Sequence, residues 1–186
     1  MTEPRRYQGL IVQPDCGFCP LRLRTKVLPE GPIPAKLCFV GETPGETEER
    51  DGHGFIGPSG HLLWMLAAAY GIKREEVWVT NAALCYCPKD GIRLTTGVVL
   101  KQPEVKDMAV DACRRRLIGE LLTVTEGNPQ AVVVPMGNKA LRALRSSSHR
   151  HDAKKAKIYA YRGSRMDLDL NELWAEVNDQ WRRSVV

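Results

Sequence analysis

An apolar run, Leu37–Val40, breaks into a glycine- and acid-rich stretch, Gly41–Gly60 (GETPGETEERDGHGFIGPSG), and then resumes as a helical pattern over Leu62–Tyr70. No other part of the chain limits its fold so narrowly. A strand that opens into such a loop and then a helix is how α/β proteins build a site beyond a strand's carboxyl end. The glycines let backbone N–H groups approach a ligand, and a helix N-terminus favours negative charge or a polar carbonyl. Glu42, Glu46, Glu48, Glu49 and Asp51 crowd five carboxylates into ten residues, which opposes a phosphate, and the GxxxxGK[ST] loop is absent. Glycines, carboxylates and one aromatic, Phe55, suit a neutral polar ring that is stacked and hydrogen-bonded.

Around this stretch, apolar runs and helical patterns alternate. Strands are expected at Lys36–Val40, Val77–Asn81, Ala131–Val134 and Ile158–Tyr161, rich in β-branched and other apolar residues. Ser59 is the expected cap of the first helix and Gly71 its stop, with Leu62, Leu63, Leu66, Ala67 and Tyr70 on one face. Pro103 opens a second helix, with Val105, Met108, Ala109 and Ala112 striping one side and Ile118, Leu121 and Leu122 continuing it. A short helix follows Gly137-Asn138, and Leu170, Leu173, Trp174, Val177 and Trp181 mark a closing one. Residues 1–35 read as turns, with GPIPA (31–35) a loop entering the first strand, and Cys85 to about Gln102 reads as a loop. The alternation predicts a single three-layer α/β domain over residues 1–186 with a mainly parallel sheet.

Hydrophobic residues at 43% and charged ones at 26% are the proportions of an ordinary globular protein, and no run of 18 apolar residues marks a membrane span. MTEPRRYQGL lacks the apolar core of a signal peptide, so a cytoplasmic protein is expected. Disulfides are rare there, so six cysteines turn attention to metal or redox chemistry. The net charge of +5 is uneven: Lys139–Arg165 holds nine Lys/Arg against one acid, Asp152. Such a segment is either the footprint of a phosphate-backbone partner or a solvated basic loop.

Cys16 and Cys19 form a CxxC with no second CxxC downstream. Cys85-Tyr86-Cys87 is too tight for the usual zinc spacing, and Cys113 stands alone on a helix. Widely spaced thiolates suit an iron–sulfur cluster better than a zinc knuckle. A thioredoxin-like pair would need its CxxC at a strand–helix junction, whereas Cys16 lies in a loop-like region. Cys38, inside a strand, reads as a small buried hydrophobe.

Taken together, these residues resemble the family 4 uracil-DNA glycosylases, the iron–sulfur branch of their superfamily. The resemblance runs through Cys16-Gly-Phe-Cys19-Pro-Leu, Ala35–Gly45 (AKLCFVGETPG), Phe55-Ile-Gly-Pro-Ser-Gly60, Val79-Thr-Asn81, Cys85, Cys113 and Gly137-Asn-Lys-Ala-Leu141, over roughly residues 10–145. It implies a three-layer α/β/α fold with a four-stranded parallel sheet, and a monomer that removes uracil from single- or double-stranded DNA. It implies a 4Fe-4S cluster on Cys16, Cys19, Cys85 and Cys113, with segment 10–35 part of the cluster site and Cys87 the competitor for a ligand slot. Phe55 would stack on the flipped uracil, and Asn81 would read its Watson–Crick edge, where an acceptor and a donor lie side by side. Glu48 would orient water, Glu42 would support the pocket, and backbone N–H groups of Gly41–Gly45 would hold the leaving base. Thr43 stands where the family usually has Ala or Gly and would narrow the pocket.

One family element is missing. The C-terminal His-Pro-Ser/Thr loop, whose histidine stabilises charge on the departing uracil, has no counterpart: the histidines are His53, His61, His149 and His151, and none precedes a proline. His53 and His61 read as structural or solvated. The departure leaves a shortened or divergent glycosylase, one with another base preference, and a non-catalytic DNA-binding relative all open. A cluster- or zinc-stabilised protein with some other small ligand is a lesser reading.

Overall fold

The computed structural model describes residues 5–128, 130–145 and 157–158. Its strands are β1 (Arg5–Gln8), β2 (Glu30–Ile33), β3 (Leu37–Gly41), β4 (Val77–Asn81), β5 (Ile92–Arg93), β6 (Val99–Leu100), β7 (Val132–Pro135) and β8 (Lys157–Ile158). Its α-helices are α1 (Glu46–Asp51), α2 (Pro58–Ala69), α3 (Gln102–Val124) and α4 (Asn138–Arg145). The main sheet has the order β1-β2-β4-β3-β7-β8. β4, β3, β7 and β8 run parallel, which is the four-stranded unit expected, while β1 and β2 extend it antiparallel.

Strict alternation sorts the strand residues between two cores. Leu37, Phe39, Val77, Val79, Val132 and Val134 face α2 through Leu63 and Ala67. Cys38, Val40, Trp78 and Val133 face α3 and α4 through Val105, Ala109, Leu117 and Ala140. All five residues of β3 and of β4 are buried, as a parallel sheet covered on both sides requires.

Several expectations shift. Residues 1–35 are not all turns: β1 and β2 pair from Arg5 opposite Ile33 to Gln8 opposite Glu30, so GPI joins the sheet instead of leading into it. Gly31 permits this, for its φ is +151° and an added Cβ would lie 2.5 Å from the Trp78 Cα. α2 begins at Gly57 and Pro58 instead of after Ser59, because a proline in the first turn gives up no needed N–H. Gly71, with φ +73°, follows the Tyr70 cap and ends it as expected. Leu62 and Met108 are exposed. On α3 the buried set is Val105, Ala109, Val110, Cys113, Arg116, Leu117, Glu120, Leu121 and Val124, so Val105, Ala109 and Leu121 of the expected stripe face the core, with Ala112 and Ile118 packed partly buried against it, and two charged residues join the inner face. The segment from Cys85 to Gln102 contains the β5–β6 hairpin. The expected closing helix, residues 159–161 of the fourth strand, His149, His151 and most of the basic segment lie outside the described residues. No described helix is long and apolar enough to cross a membrane.

Gly31→Ala should destabilise the fold by about 3 kcal/mol or more, since overpacking and a glycine-only backbone add. Denaturant unfolding measures it, and an unchanged midpoint would remove the close approach of β2 to β4 from the account.

Candidate functional site

β3 and β4 end side by side, with Gly41 in register with Asn81. Their pairing continues past the strands, because Ala82 N–H donates to the Gly41 carbonyl (2.7 Å) and Ala83 N–H to that of Glu42 (3.0 Å). Asn81 is buried, and its side chain lies against Gly41. A Cβ on Gly41 would strike Asn81 Oδ1 and sit 3.1 Å from Phe55 Cζ. Thus the absent side chain of Gly41 makes room where the amide and the aromatic ring meet.

Phe55 reaches this place through a backbone it adopts at a cost. Its φ is +56°, in the left-handed region a bulky residue rarely occupies, so its surroundings must hold it there. Trp64 Nε1–H donates to the Phe55 carbonyl (3.0 Å), and so does Arg74 (3.3 Å). Arg74 also donates to the Gly54 carbonyl (2.7 Å) and to Glu30 (2.7 Å). Glu30, only 4% exposed on β2, accepts from Arg74 and meets His53 Nδ1 at 3.2 Å. The Arg74 guanidinium lies 4.8 Å above the Trp64 ring. Gly60 packs on the Phe55 backbone, where any side chain would collide. A cavity of about 310 Å³ lies on the Arg74 side of the loop, lined by residues that include Glu30, His53, Phe55, Trp64 and Arg74.

The acidic loop residues have definite partners. Glu48 accepts from Gly45 N–H and from Ile56 N–H (3.2 Å), so it closes the first turn of α1 and braces the Phe55 segment. The N–H of Gly45 is thereby engaged. Glu42 accepts from Lys139 N–H at the start of α4 (3.0 Å), has Lys106 Nζ at 4.0 Å, and packs on Gly137, where a Cβ would lie 2.6 Å from Oε1. A carboxylate at a helix N-terminus is stabilised by the exposed N–H groups and the helix dipole. Thr43 is half-buried between these two glutamates in sequence. The spacing Gly52-His-Gly54-Phe-Ile-Gly57 has the form GxGxxG, but it joins α1 to α2 instead of following a strand, so it is no dinucleotide loop.

The cysteines differ in their surroundings. Burial is the main cause raising the Cys19 thiol, with Cys113 and Cys16 adding to it. Burial likewise pushes Cys85 up to about 12, with Cys113, Cys19 and Cys16 adding. Cys19 and Cys85 thus each feel the charge of Cys113 and of Cys16, and Lys26, bridged to Cys85 in the backbone, is the cation that acts on both. Cys87 is raised by burial too, but its charged neighbours are Lys106, Arg24 and Lys139, and its Sγ lies 3.6 Å from the Gln102 carbonyl. Cys38 is fully buried in β3 beside Glu120. Among the described residues, no three His, Cys, Asp or Glu side chains converge on a single ion. A four-iron cluster requires a looser set, since each thiolate binds a different iron.

Two described members of the basic segment are already paired: Lys139 and Arg142 meet Asp107 of α3 at 2.5 and 2.8 Å. The Lys139 hydrogen bond, before burial and charge effects, holds the Asp107 carboxyl below its ordinary range. Sequence reasoning missed Glu30, Trp64 and Arg74 altogether. No local pattern signals them, because Arg74 acts across 19 residues on Phe55 and across 44 on Glu30.

The family model for the uracil DNA glycosylase superfamily matches residues 28–177. A type-4 uracil-DNA glycosylase of Thermotoga maritima is 34% identical over 154 residues, covering 82% of this chain and 69% of that protein. Type-4 uracil-DNA glycosylases of Sulfurisphaera tokodaii and Archaeoglobus fulgidus are 40% and 38% identical over 79 and 78 residues, each stretch covering 41% of this chain and 36% and 39% of theirs.

Gly41→Ala should leave the fold standing, at a cost of about 1–3 kcal/mol, while driving the Asn81 carboxamide and the Phe55 ring apart. A crystal structure of the variant measures the displacement; both groups in place would mean that Gly41 does not set their spacing.

Proposed function

The chain belongs to the uracil DNA glycosylase superfamily, and we propose that it is a type-4 uracil-DNA glycosylase, hydrolysing the N-glycosidic bond of uracil or a related pyrimidine in DNA. The observation that carries this reading is the meeting of Phe55 and Asn81 across Gly41, with Phe55 held at φ +56° by Trp64 and Arg74. A ring held open beside a buried amide suits a flipped base. The nucleotide leaves the stack, its ring lies on Phe55, and Asn81 accepts from N3–H and donates to a neighbouring carbonyl. An amino group at C4 would replace that acceptor, so cytosine would leave the Asn81 amide mispaired.

Bond cleavage leaves positive charge on the sugar and negative charge on the base. In this reading Glu42 and Glu48 supply the carboxylates that answer the sugar's charge, and the main-chain N–H groups they accept from fix them before substrate arrives. Each oxygen accepting one N–H retains a lone pair, so Glu48 can still orient the attacking water. In the same reading the main-chain N–H groups of Gly41 and Thr43 would hold the departing base, while Gly45 shapes the turn through Glu48. Cys16, Cys19, Cys85 and Cys113 would hold a 4Fe-4S cluster, which when bound supplies a covalent tie between the N-terminal segment, the β4 exit and α3. The whole chain acts as one domain, a cytoplasmic monomer whose partner is DNA.

Because no His-Pro pair is present, a relative that binds DNA without turnover is the competing reading. Losing one charge-stabilising group costs about 10²–10³-fold in rate, so the absence slows an enzyme without abolishing it.

In single-turnover assays on uracil-containing DNA, Asn81→Ala should excise about 10²–10³-fold more slowly while binding undamaged DNA unchanged. Parent protein that binds DNA but releases no base would favour the non-catalytic reading. Cys113→Ser should lower iron content and Cys87→Ser should not; the reverse pattern would give the fourth ligand position to Cys87.

A further inference from the structure

The inner face of α3 carries a guanidinium with no access to water. Arg116 and Glu120 are both 0% exposed and pair at 2.9 Å, one turn apart. Trp78 Nε1–H donates to the other oxygen of Glu120 (3.0 Å). Arg116 then spends its remaining reach on the end of β4. Nη1–H donates to Thr80 Oγ1 (3.0 Å), and Nη2–H to the main-chain carbonyls of Asn81 (2.6 Å) and Ala82 (3.1 Å).

Stability alone does not account for this arrangement. A buried ion pair is commonly no better than well-packed apolar residues of the same volume, and Arg116 Nε finds no partner among the described residues. What the guanidinium can do is hold two successive carbonyls with Nη2 while Nη1, in the same rigid plane, stays on Glu120 and Thr80. They need holding: β2 meets β4 only at Glu30–Val79, so the last residues of β4 have no strand on that side. We propose that Arg116 is the positioning residue of the base-reading edge, fixing the peptide planes on either side of Ala82 so that the Asn81 carboxamide projects at one angle beside Gly41 and Phe55. The meaning of that angle for uracil rests on the function proposed above; the clamp itself rests on the hydrogen bonds. Cys113 lies one turn before Arg116 on α3, so the cysteine group and the clamp ride on the same helix.

The test compares the full chain with Arg116→Met, which fills the space without donors, and Leu117→Ala, which cuts a buried neighbour on the same helix but leaves the clamp. The first readout is the side-chain amide signal of Asn81, identified by its loss in Asn81→Asp. The second is the affinity for free uracil, set against the affinity for undamaged DNA. In Arg116→Met the Asn81 signal should collapse toward averaged, solvent-like values, and uracil affinity should fall about tenfold, the worth of one well-placed hydrogen bond. Excision should fall about 10²-fold, the cost of misplacing a reacting group by about 1 Å, with DNA affinity unchanged. Leu117→Ala should lose stability yet keep the signal and the affinity. If Arg116→Met does not fold, Arg116→Lys, which retains the charge but not the fork, should show the same changes in smaller measure. An Asn81 signal that stays put in the Arg116 variants, or moves equally in Leu117→Ala, overturns the proposal. Absence of uracil affinity in the parent would defeat the functional reading instead, and the Asn81 signal would still decide the clamp.

Discussion

Both faces of the parallel strands are covered, and this burial governs everything else. With every residue of β3 and β4 inside, the strands themselves have no surface on which to place chemistry. Only their carboxyl ends open, where the ladder stops and the chain must turn away. The glycine- and acid-rich stretch leaves β3 there, and Asn81 ends β4 beside it. Burial also explains the antiparallel pair at the edge: β2 and β1 extend the sheet beyond β4, and Gly31 lets β2 press onto the Trp78 backbone without a side chain between them.

Where a ladder stops or a loop crosses its end, carbonyls lack strand partners, and two arginines take them over. Arg116, from α3, holds those of Asn81 and Ala82. Arg74, just before β4, holds those of Gly54 and Phe55. Each guanidinium is balanced by a buried carboxylate, Glu120 for one and Glu30 for the other. The main-chain segments that present the amide and the aromatic ring are thus each gripped by a charged fork whose desolvation cost is repaid by several bonds at once. The acidic loop works similarly: Glu42 and Glu48 accept main-chain N–H groups, so part of its negative charge maintains shape.

The cysteines follow the same division of labour. Cys16 and Cys19 sit in a turn closed by Cys19 N–H on the Cys16 carbonyl, Cys85 follows the end of β4, and Cys113 lies mid-way along α3. These four positions lie on the N-terminal segment and on the two elements that carry Asn81 and Arg116. Arg24, just downstream of this turn, meets Glu49 of α1 at 3.0 Å, a second tie between the cysteine segment and the acidic loop.

Periodicity and turn chemistry were enough to place β3, β4, β7 and the main helices, because alternating burial and a 3.6-residue repeat are local properties of the chain. The glycine-rich loop with Gly41 and Phe55 stood out too, since such a loop between strand and helix has few alternatives, whereas Asn81 was singled out only by the family resemblance. Local pattern misled where tertiary contact overrode it. β1 and β2 look like turns until the edge of β4 offers them a partner, and the apolar stripe of α3 gives no sign of Arg116 and Glu120, which Trp78 and the β4 carbonyls surround. Cys85 and Cys87 differ by two positions in sequence, and only the folded chain puts one beside Cys113 and the other beside Gln102. The sequence by itself determined which residue types stand at the strand ends. The tertiary structure decided which of them face each other and which charges hold them, because those contacts join positions tens of residues apart and depend on burial that no local window contains.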